Sequence, residues 1–549
     1  MSVAVRSALV GVLLLPLLAV AGPPTARSKQ PGAARRAPVP ASSRECVGCH
    51  ERTNAGIVQQ WRDSRHAARG VGCLDCHRAR KGEADAFEHA GALVAVVVTP
   101  RDCARCHRVE DEQFEASHHA RAGNILASLD NFLAETVEGA RERFNPHAPA
   151  GSKEALVDVN GMASAQVGCQ QCHGGKVAIV KKGGGTITVD DLAPGPDGLP
   201  TVPALLEQID RDEQGAPKLD PATWPNTGIG RINLDGSRGS CTACHSRHDF
   251  SPRRARQPES CGKCHLGPDH PQMEIFQESK HGIAYRDRQQ QENLDARSWV
   301  LGKDYTAAPT CASCHLSANT NGGKVTHDPG ERISWTNRPP VSLPMDTDAG
   351  NDVVTEADPA RRKALVTDTA QQKRARMAQA CNVCHSTSYV DAFYAEYDSF
   401  LRLYNEKFAR PGLAIMAELR KQGLITKPEF DEKIEWDWFY LWHHEGRRAR
   451  HGASMMAPDY AHWHGMYEVA ERFYHALIPE AREIAAKAAA AGKRAQADAV
   501  NGVIDSILHR PEHAWFLQET RGASETAPRG AAVEPQPPTP PAEGQQKGP

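Results

Sequence analysis

The chain has 549 residues, with 65 Lys and Arg against 67 Asp and Glu and a formal net charge of −2. That balance excludes the basic excess a nucleic-acid binder needs to neutralise phosphates, and 40 % apolar residues leave room for a packed core. The outliers are 16 Cys and 25 His. Eight disulfides in an exported chain would be one use of the cysteines, and their spacing removes it below.

In chain order, Arg6 precedes an apolar run from Ala8 to Leu18, broken only by Gly11 and Pro16, and Ala19-Val20-Ala21 fits the small-x-small cleavage rule. The run is shorter than the roughly 20 apolar residues of a membrane span. Residues 1–21 therefore read as a cleaved signal peptide, and the mature chain as periplasmic. Residues 22–44, rich in Pro, Ala, Arg and Ser, read as a flexible leader, and 522–549, rich in Pro, Glu and Gln, as a disordered tail. Residues 45–390 carry every cysteine among many Gly and Pro. From about Asp391, Phe393, Tyr397, Phe400, Tyr404 and Phe408 recur at helical spacing. Pro428 to Arg450 and Ala461 to Ala491 also read as helices, so 391–521 is expected to be a C-terminal helical region. The fold class is mainly α: a loop-rich, haem-packed N-terminal region, long C-terminal helices and few short strands, Thr186 to Val189 being one candidate.

The cysteines fall into eight Cys-x-x-Cys-His motifs: Cys46-Cys49-His50, Cys73-Cys76-His77, Cys103-Cys106-His107, Cys169-Cys172-His173, Cys241-Cys244-His245, Cys261-Cys264-His265, Cys311-Cys314-His315 and Cys381-Cys384-His385. Two Cys three apart reach both vinyl groups of one haem, and the His that follows lies under the iron. Zinc binding does not require His after every second Cys, and disulfides do not repeat this spacing. The expectation is eight c-type haems, each with its motif histidine as proximal ligand.

Seventeen histidines remain. Three sit in a repeated phrase, aromatic-x-x-Ser-x-His: Trp61-Ser64-His66, Phe114-Ser117-His119 and Phe276-Ser279-His281. They read as distal ligands, on short helices, for haems attached elsewhere in the chain. His89, His248, His327, His444 and His451 are further candidates. A haem with His on both faces suits electron transfer, so an enzyme needs at least one open haem. After the sixth motif, Leu266-Gly267-Pro268-Asp269-His270-Pro271 makes a rigid turn. Its carboxylate and imidazole could pass protons to or from a substrate, or His270 could be another axial ligand. A dense stretch from His443 through Arg447, His451, Tyr460, His464 and Tyr467 exceeds what a helix surface needs, and packing against haem faces and propionates accounts for much of it.

Together these features resemble the hydroxylamine oxidoreductase family of octahaem cytochromes. The resemblance rests on the eight motifs, on Cys261-Gly-Lys-Cys-His-Leu-Gly-Pro-Asp-His-Pro-Gln272, and on His451-Gly-Ala through Met455-Met-Ala-Pro-Asp-Tyr460-x-x-Trp463-His-Gly465, and covers about Glu45 to Phe516. It implies a mostly helical homotrimer with seven bis-histidine haems and one modified catalytic haem, held by Cys169, Cys172 and His173. It further implies Asp269 and His270 at the open face and a tyrosine from the neighbouring subunit bonded to that haem, placed at Tyr460 with Tyr467 as second choice. The implied activity is the oxidation of hydroxylamine to nitric oxide or nitrite, a reaction of nitrification, with electrons leaving to a soluble or membrane c-type cytochrome. Three other readings stay open: reduction of nitrite or hydroxylamine to ammonia, oxidation of hydrazine, and a non-catalytic electron conduit.

Overall fold

The structure is a computed structural model and describes residues 38–127, 167–193, 200–427 and 429–518. The expected signal peptide, most of the leader and the tail lie outside the described residues. The described residues are about 54 % helical. Among the described residues the strands form three two-stranded sheets: Ala86–His89 antiparallel to Ala92–Ala95, Ile179–Val180 antiparallel to Thr186–Ile187, and Val300–Leu301 parallel to Ala318–Asn319. Among the described residues no helix is long and apolar enough to cross a membrane.

The strand expected over Thr186 to Val189 stops at Ile187. Thr188 instead caps the turn Val189–Asp191: its hydroxyl accepts from the Asp190 amide at 3.3 Å, and Asp191 Oδ2 accepts from the Thr188 amide at 2.8 Å. Side-chain bonds of this kind compete with a strand ladder.

The two regions are built differently. The described residues of 45–390 are short helices and turns around a large cavity. Their apolar groups form small separate clusters, one around Ile179, Ile187 and Ile209, another around Leu294, Trp299 and Tyr305. The C-terminal helices share one large core that includes Leu419, Phe439, Leu441, Phe473, Leu477 and Ile504. Each fully buried aliphatic or Phe side chain contributes about 1.5–3 kcal/mol, so apolar burial by side chains is concentrated there. The boundary expected at 390/391 falls inside one continuous helix, Thr387–Tyr404, which begins two residues after His385.

That helix runs through a wide turn, Asn405–Ala409, into Arg410–Lys421. The second long element begins at Lys433, later than the expected Pro428, because Thr426 ties the approach into a loop: its hydroxyl bonds Asp431 at 2.7 Å and its amide bonds Glu432 Oε1 at 2.7 Å. It continues through Tyr440–Glu445 to Ser454. The third runs from Pro458 to Ala490 with wide turns at His462–Tyr467 and Phe473–Leu477, and Arg494–Leu508 packs back on it. Two of these wide turns lie just before Pro411 and Pro479, where a proline ring clashes with the preceding turn and removes a helical donor. The other two contain histidines and no proline; extra-residue turns of this type recur at functional sites.

Asp85 is buried beside Val97, whose amide it accepts at 2.8 Å. Burial pushes its carboxyl up to about 7, against an ordinary 3.8. The folded state thus holds this proton more tightly than the unfolded chain does. Its stability contribution is complete below about pH 4 and is lost as pH rises through about 7, on the order of 4 kcal/mol at most. Asp85→Asn is expected to flatten this part of the pH dependence of denaturant unfolding; an unchanged slope between pH 4 and 7 counts against it.

Candidate functional site

A Cys-x-x-Cys-His segment wound as one helical turn puts positions i, i+3 and i+4 on one side. The chain does this at each motif. Short helices start at Cys73, Cys169 and Cys311, and the His107, His245, His265 and His385 amides bond back to the first cysteine of their motif at 2.9–3.0 Å. Thr310 caps the seventh motif by accepting from Ser313 at 3.2 Å. After the fourth, Gly174 turns at φ +81°, and a Cβ there would stand 2.4 Å from the Arg231 amide nitrogen, so only glycine fits.

The motifs face one continuous cavity of about 4040 Å³, lined by all eight motif histidines and by every motif cysteine except Cys49 and Cys384. One-eighth of it is about 500 Å³, within the roughly 300–1,000 Å³ of an ordinary cofactor site. Five motif histidines face a second imidazole across it: His50 and His89 with centroids 6.1 Å apart, His77 and His248 6.4 Å, His107 and His66 6.2 Å, His265 and His119 6.1 Å, His385 and His281 6.0 Å. A metal–imidazole bond of about 2 Å on each side, plus about 1.1 Å from nitrogen to ring centre, requires roughly 6.3 Å. His245 has His327 as a near neighbour. Burial pushes the His119 imidazole down to about 3 and those of His245 and His265 to about 4, which keeps them neutral as iron ligands require. The buried His118 Nε2, His327 Nδ1 and Trp299 Nε1 have no partner within the protein. An unsatisfied buried polar atom costs about 1–3 kcal/mol, so these atoms point to polar groups of a bound cofactor. The residues present fit haem.

The repeated phrase does not lie on one short helix, as expected; it spans the break between two. Trp61 and Phe276 end one helix, Ser64 and Ser279 cap the next by accepting from Ala67 and Gly282 at 3.0 and 3.1 Å, and His66 and His281 are the second residues of the helices that follow. At Ser117 the hydroxyl instead donates to the Phe114 carbonyl at 2.6 Å. The break turns the histidine out of the first helix's line, toward a motif distant in sequence.

The motif sulfurs also set an order. Cys46 adjoins Cys73, Cys76 adjoins Cys103, Cys103 adjoins Cys241, Cys244 adjoins Cys261, Cys261 adjoins Cys311, and Cys314 adjoins Cys381. The motifs thus follow one another as first, second, third, fifth, sixth, seventh and eighth. The fourth branches from the sixth through Cys172 and Cys264.

At that branch stands the Asp269–His270 pair. Asp269 Oδ1 lies 2.5 Å from His270 Nδ1, while His270 Nε2 lies 3.1 Å from the Cys264 carbonyl. Both nitrogens are engaged, so His270 is not an axial ligand in this arrangement, although its ring centre lies 6.3 Å from that of His265. Both partners are acceptors, and a ring that satisfies both carries two protons. Burial opposes that charge, but the bond to Asp269 and its carboxylate charge outweigh it and raise the proton affinity of His270. Burial likewise opposes ionisation of Asp269, and His270, His443 and Arg447 overcome it, holding the carboxyl well below its usual range.

Two of these partners went unassigned in sequence. Arg447 Nη1 donates to Asp269 Oδ2 at 2.9 Å, and His443 Nε2 lies 3.9 Å from the same oxygen. The dense stretch that holds them was visible, but no local signal tied it to a turn 178 residues away. His444 lines the cavity beside His443, their ring centres 5.2 Å apart. His451, expected as a distal ligand, is not in a facing pair with a motif histidine among the described residues; its Nε2 lies 3.4 Å from Gln272 Nε2. Both His270 and the sixth motif's His265 are among its neighbours. Tyr460 and Tyr467 do not line the cavity of their own chain. Tyr460 sits on the helix Pro458–Ala461, and Met456, Trp463 and Tyr467 beside it are 45, 58 and 52 % exposed.

Comparison with known proteins gives five matches. A family model described as "Seven times multi-haem cytochrome CxxCH" matches residues 233–429, and one for cytochrome c554 and c-prime matches 102–174. A probable nitrite reductase–hydroxylamine oxidoreductase fusion protein of Kuenenia stuttgartiensis is 26 % identical over 368 residues, 65 % of this chain; the chain spans 35 % of that protein's length. A solved hypothetical multiheme protein superposes with a TM-score of 0.62 at 24 % identity, over 80 % of this chain and 94 % of the other. A chain of the reducing HAO-like protein complex of Kuenenia stuttgartiensis gives 0.47 at 18 % identity, over 84 % and 86 %.

Replacing His66, His119 or His281 with Ala is expected to convert one haem per chain from six-coordinate low-spin to high-spin. Electron paramagnetic resonance reads this directly, and a low-spin count unchanged in any of the three variants would dissolve that pairing.

Proposed function

We propose that this chain, which resembles the hydroxylamine oxidoreductase-like multihaem cytochromes, is an exported periplasmic enzyme oxidising hydroxylamine to nitric oxide or nitrite. The proposed reaction site is at the haem of Cys169, Cys172 and His173, with eight c-type haems per chain. The observation that carries this reading is the Asp269–His270 pair lining the cavity where the fourth motif meets the sixth. The fourth-motif haem would supply the iron that accepts electrons. The protein's task is protons: electron loss from a neutral N–H or O–H compound builds positive charge unless a placed base removes them. His270 is that base once it has given up its second proton, and Asp269 stabilises the imidazolium that re-forms. The branched order of motifs supports one reaction site feeding a line of carriers, and electrons are proposed to leave to a soluble or membrane c-type cytochrome.

The homotrimer and the tyrosine cross-link belong to the same proposal. Tyr460 lies outside its own chain's cavity beside exposed Met456, Trp463 and Tyr467, a placement suited to reaching a neighbouring subunit's haem; Tyr467 is the second choice. A reductive reading, nitrite or hydroxylamine to ammonia, has one observation in its favour: at rest His270 faces two acceptors and is poised to give a proton rather than take one.

The pH dependence separates the two. Oxidation needs neutral His270, so kcat/KM for hydroxylamine is expected to rise with pH through a His270 pKa above the ordinary 6.5. Asp269→Asn moves that limb to lower pH, and His270→Ala lowers kcat about 100-fold or more. A reductive enzyme shows a rate that falls with pH instead. Steady-state assays with hydroxylamine, hydrazine and nitrite, and a denaturing gel for subunits joined through haem, complete the test. Nitrite turnover with freely separating monomers would replace the oxidative assignment.

A further inference from the structure

We infer that Arg447 is a positioning residue that holds the Asp269 carboxylate as a fixed pivot, so that His270 exchanges protons with substrate through Nε2 alone. This rests on the reading that Asp269 and His270 serve the reaction.

The two oxygens of Asp269 are divided between two partners. Oδ1 faces His270 Nδ1 at 2.5 Å, and Oδ2 takes a bond from Arg447 at 2.9 Å, with His443 Nε2 at 3.9 Å. Arg447 is itself held on two further sides: its Nε donates to the Arg338 carbonyl at 2.8 Å, and its guanidinium lies 5.2 Å from the centre of the Trp442 ring. The carboxylate cannot turn without breaking a charge-assisted bond. His443 and Arg447 are four residues apart, on either side of the end of the wide turn Tyr440–Glu445, and both reach the same oxygen. His443 is fixed in turn by stacking on Phe439 at 4.2 Å.

His270 then has two unequal bonds. The one to Asp269 joins ions, and such bonds are roughly twice as strong as neutral ones. The one from Nε2 to the Cys264 carbonyl at 3.1 Å is to a neutral acceptor. The weaker bond opens first. The ring pivots at Nδ1 and presents Nε2 to the substrate: Nε2–H gives its proton in one direction, and bare Nε2 takes one in the other.

The test is a double-mutant cycle of Arg447→Gln and Asp269→Asn in the haem-loaded full chain. It is read twice: as kcat and KM with hydroxylamine, and as the affinity of the resting protein for cyanide, an anion that accepts the same Nε2–H when bound at an open haem. Arg447→Gln alone is expected to lower kcat roughly 10–100-fold while KM stays within about threefold, because orientation rather than uniform binding is lost. In the Asp269→Asn background the same change is expected to cost less than about twofold, in both readouts, because the pivot is already gone. Arg447→Lys keeps the charge without the planar fork and is expected to recover part of the loss; it also carries the cycle if Arg447→Gln fails to fold. Losses that multiply in the double variant overturn the inference. If the native protein does not turn over hydroxylamine, the proposed activity falls while the cyanide cycle still decides the role of Arg447. A protein with no cyanide-binding haem overturns both.

Discussion

The structure depends on imidazole rings held about 6 Å apart across a space that side chains do not enter. Around much of the cavity the protein presents pairs of imidazoles facing inward, as at His50 and His89 or His119 and His265. Buried polar atoms left facing nothing would cost more than the small apolar clusters around them return. The N-terminal region is thus a shell whose interior is completed by cofactor, and its short helices are only as long as one motif or one distal histidine needs. The C-terminal helices work differently, with a continuous apolar core of their own, and they form a rigid wall against which the shell is closed.

That wall also contributes chemistry. The wide turn at Tyr440–Glu445 brings His443 and Arg447 onto Asp269. A carboxylate in a mostly apolar cavity would otherwise hold its proton, and the three groups around it make it a permanent anion. The anion in turn raises the proton affinity of His270. The Asp269–His270 pair at the branch between the fourth and sixth motifs is thereby tied to helix packing far along the chain. The same wall places Tyr460 and the exposed aromatics beside it on the outer face, away from the chain's own cavity.

The order of the sulfurs gives the interior a direction. Seven motifs form a line and the fourth stands aside, joined to it through the sixth. A reacting centre placed at a branch is separated from the line's ends, where Cys49 and Cys384 are exposed. Under the proposed reaction, electrons entering at the branch would spread both ways along the line; His270 of the adjoining pair touches the sixth motif's own carbonyl at Cys264.

How much of this was legible in the residues follows from how far each interaction reaches. That the chain is a multihaem cytochrome was legible from the motifs, because Cys, Cys and His within one helical turn are brought together by the local winding alone. The three Ser-x-His phrases were legible as candidate ligands for the same reason: a serine that ends one helix and starts another is a local device. The turn at Asp269 and His270 was legible as a site, and the mainly helical class as a pattern of apolar spacing. Which imidazole faces which, that His451 turns to Gln272, that the fourth motif branches from the sixth, and that Arg447 grips Asp269 were decided only by tertiary structure. These contacts join residues tens to hundreds of positions apart, and no periodicity or spacing encodes a partner at that distance; packing of the completed helices chooses it.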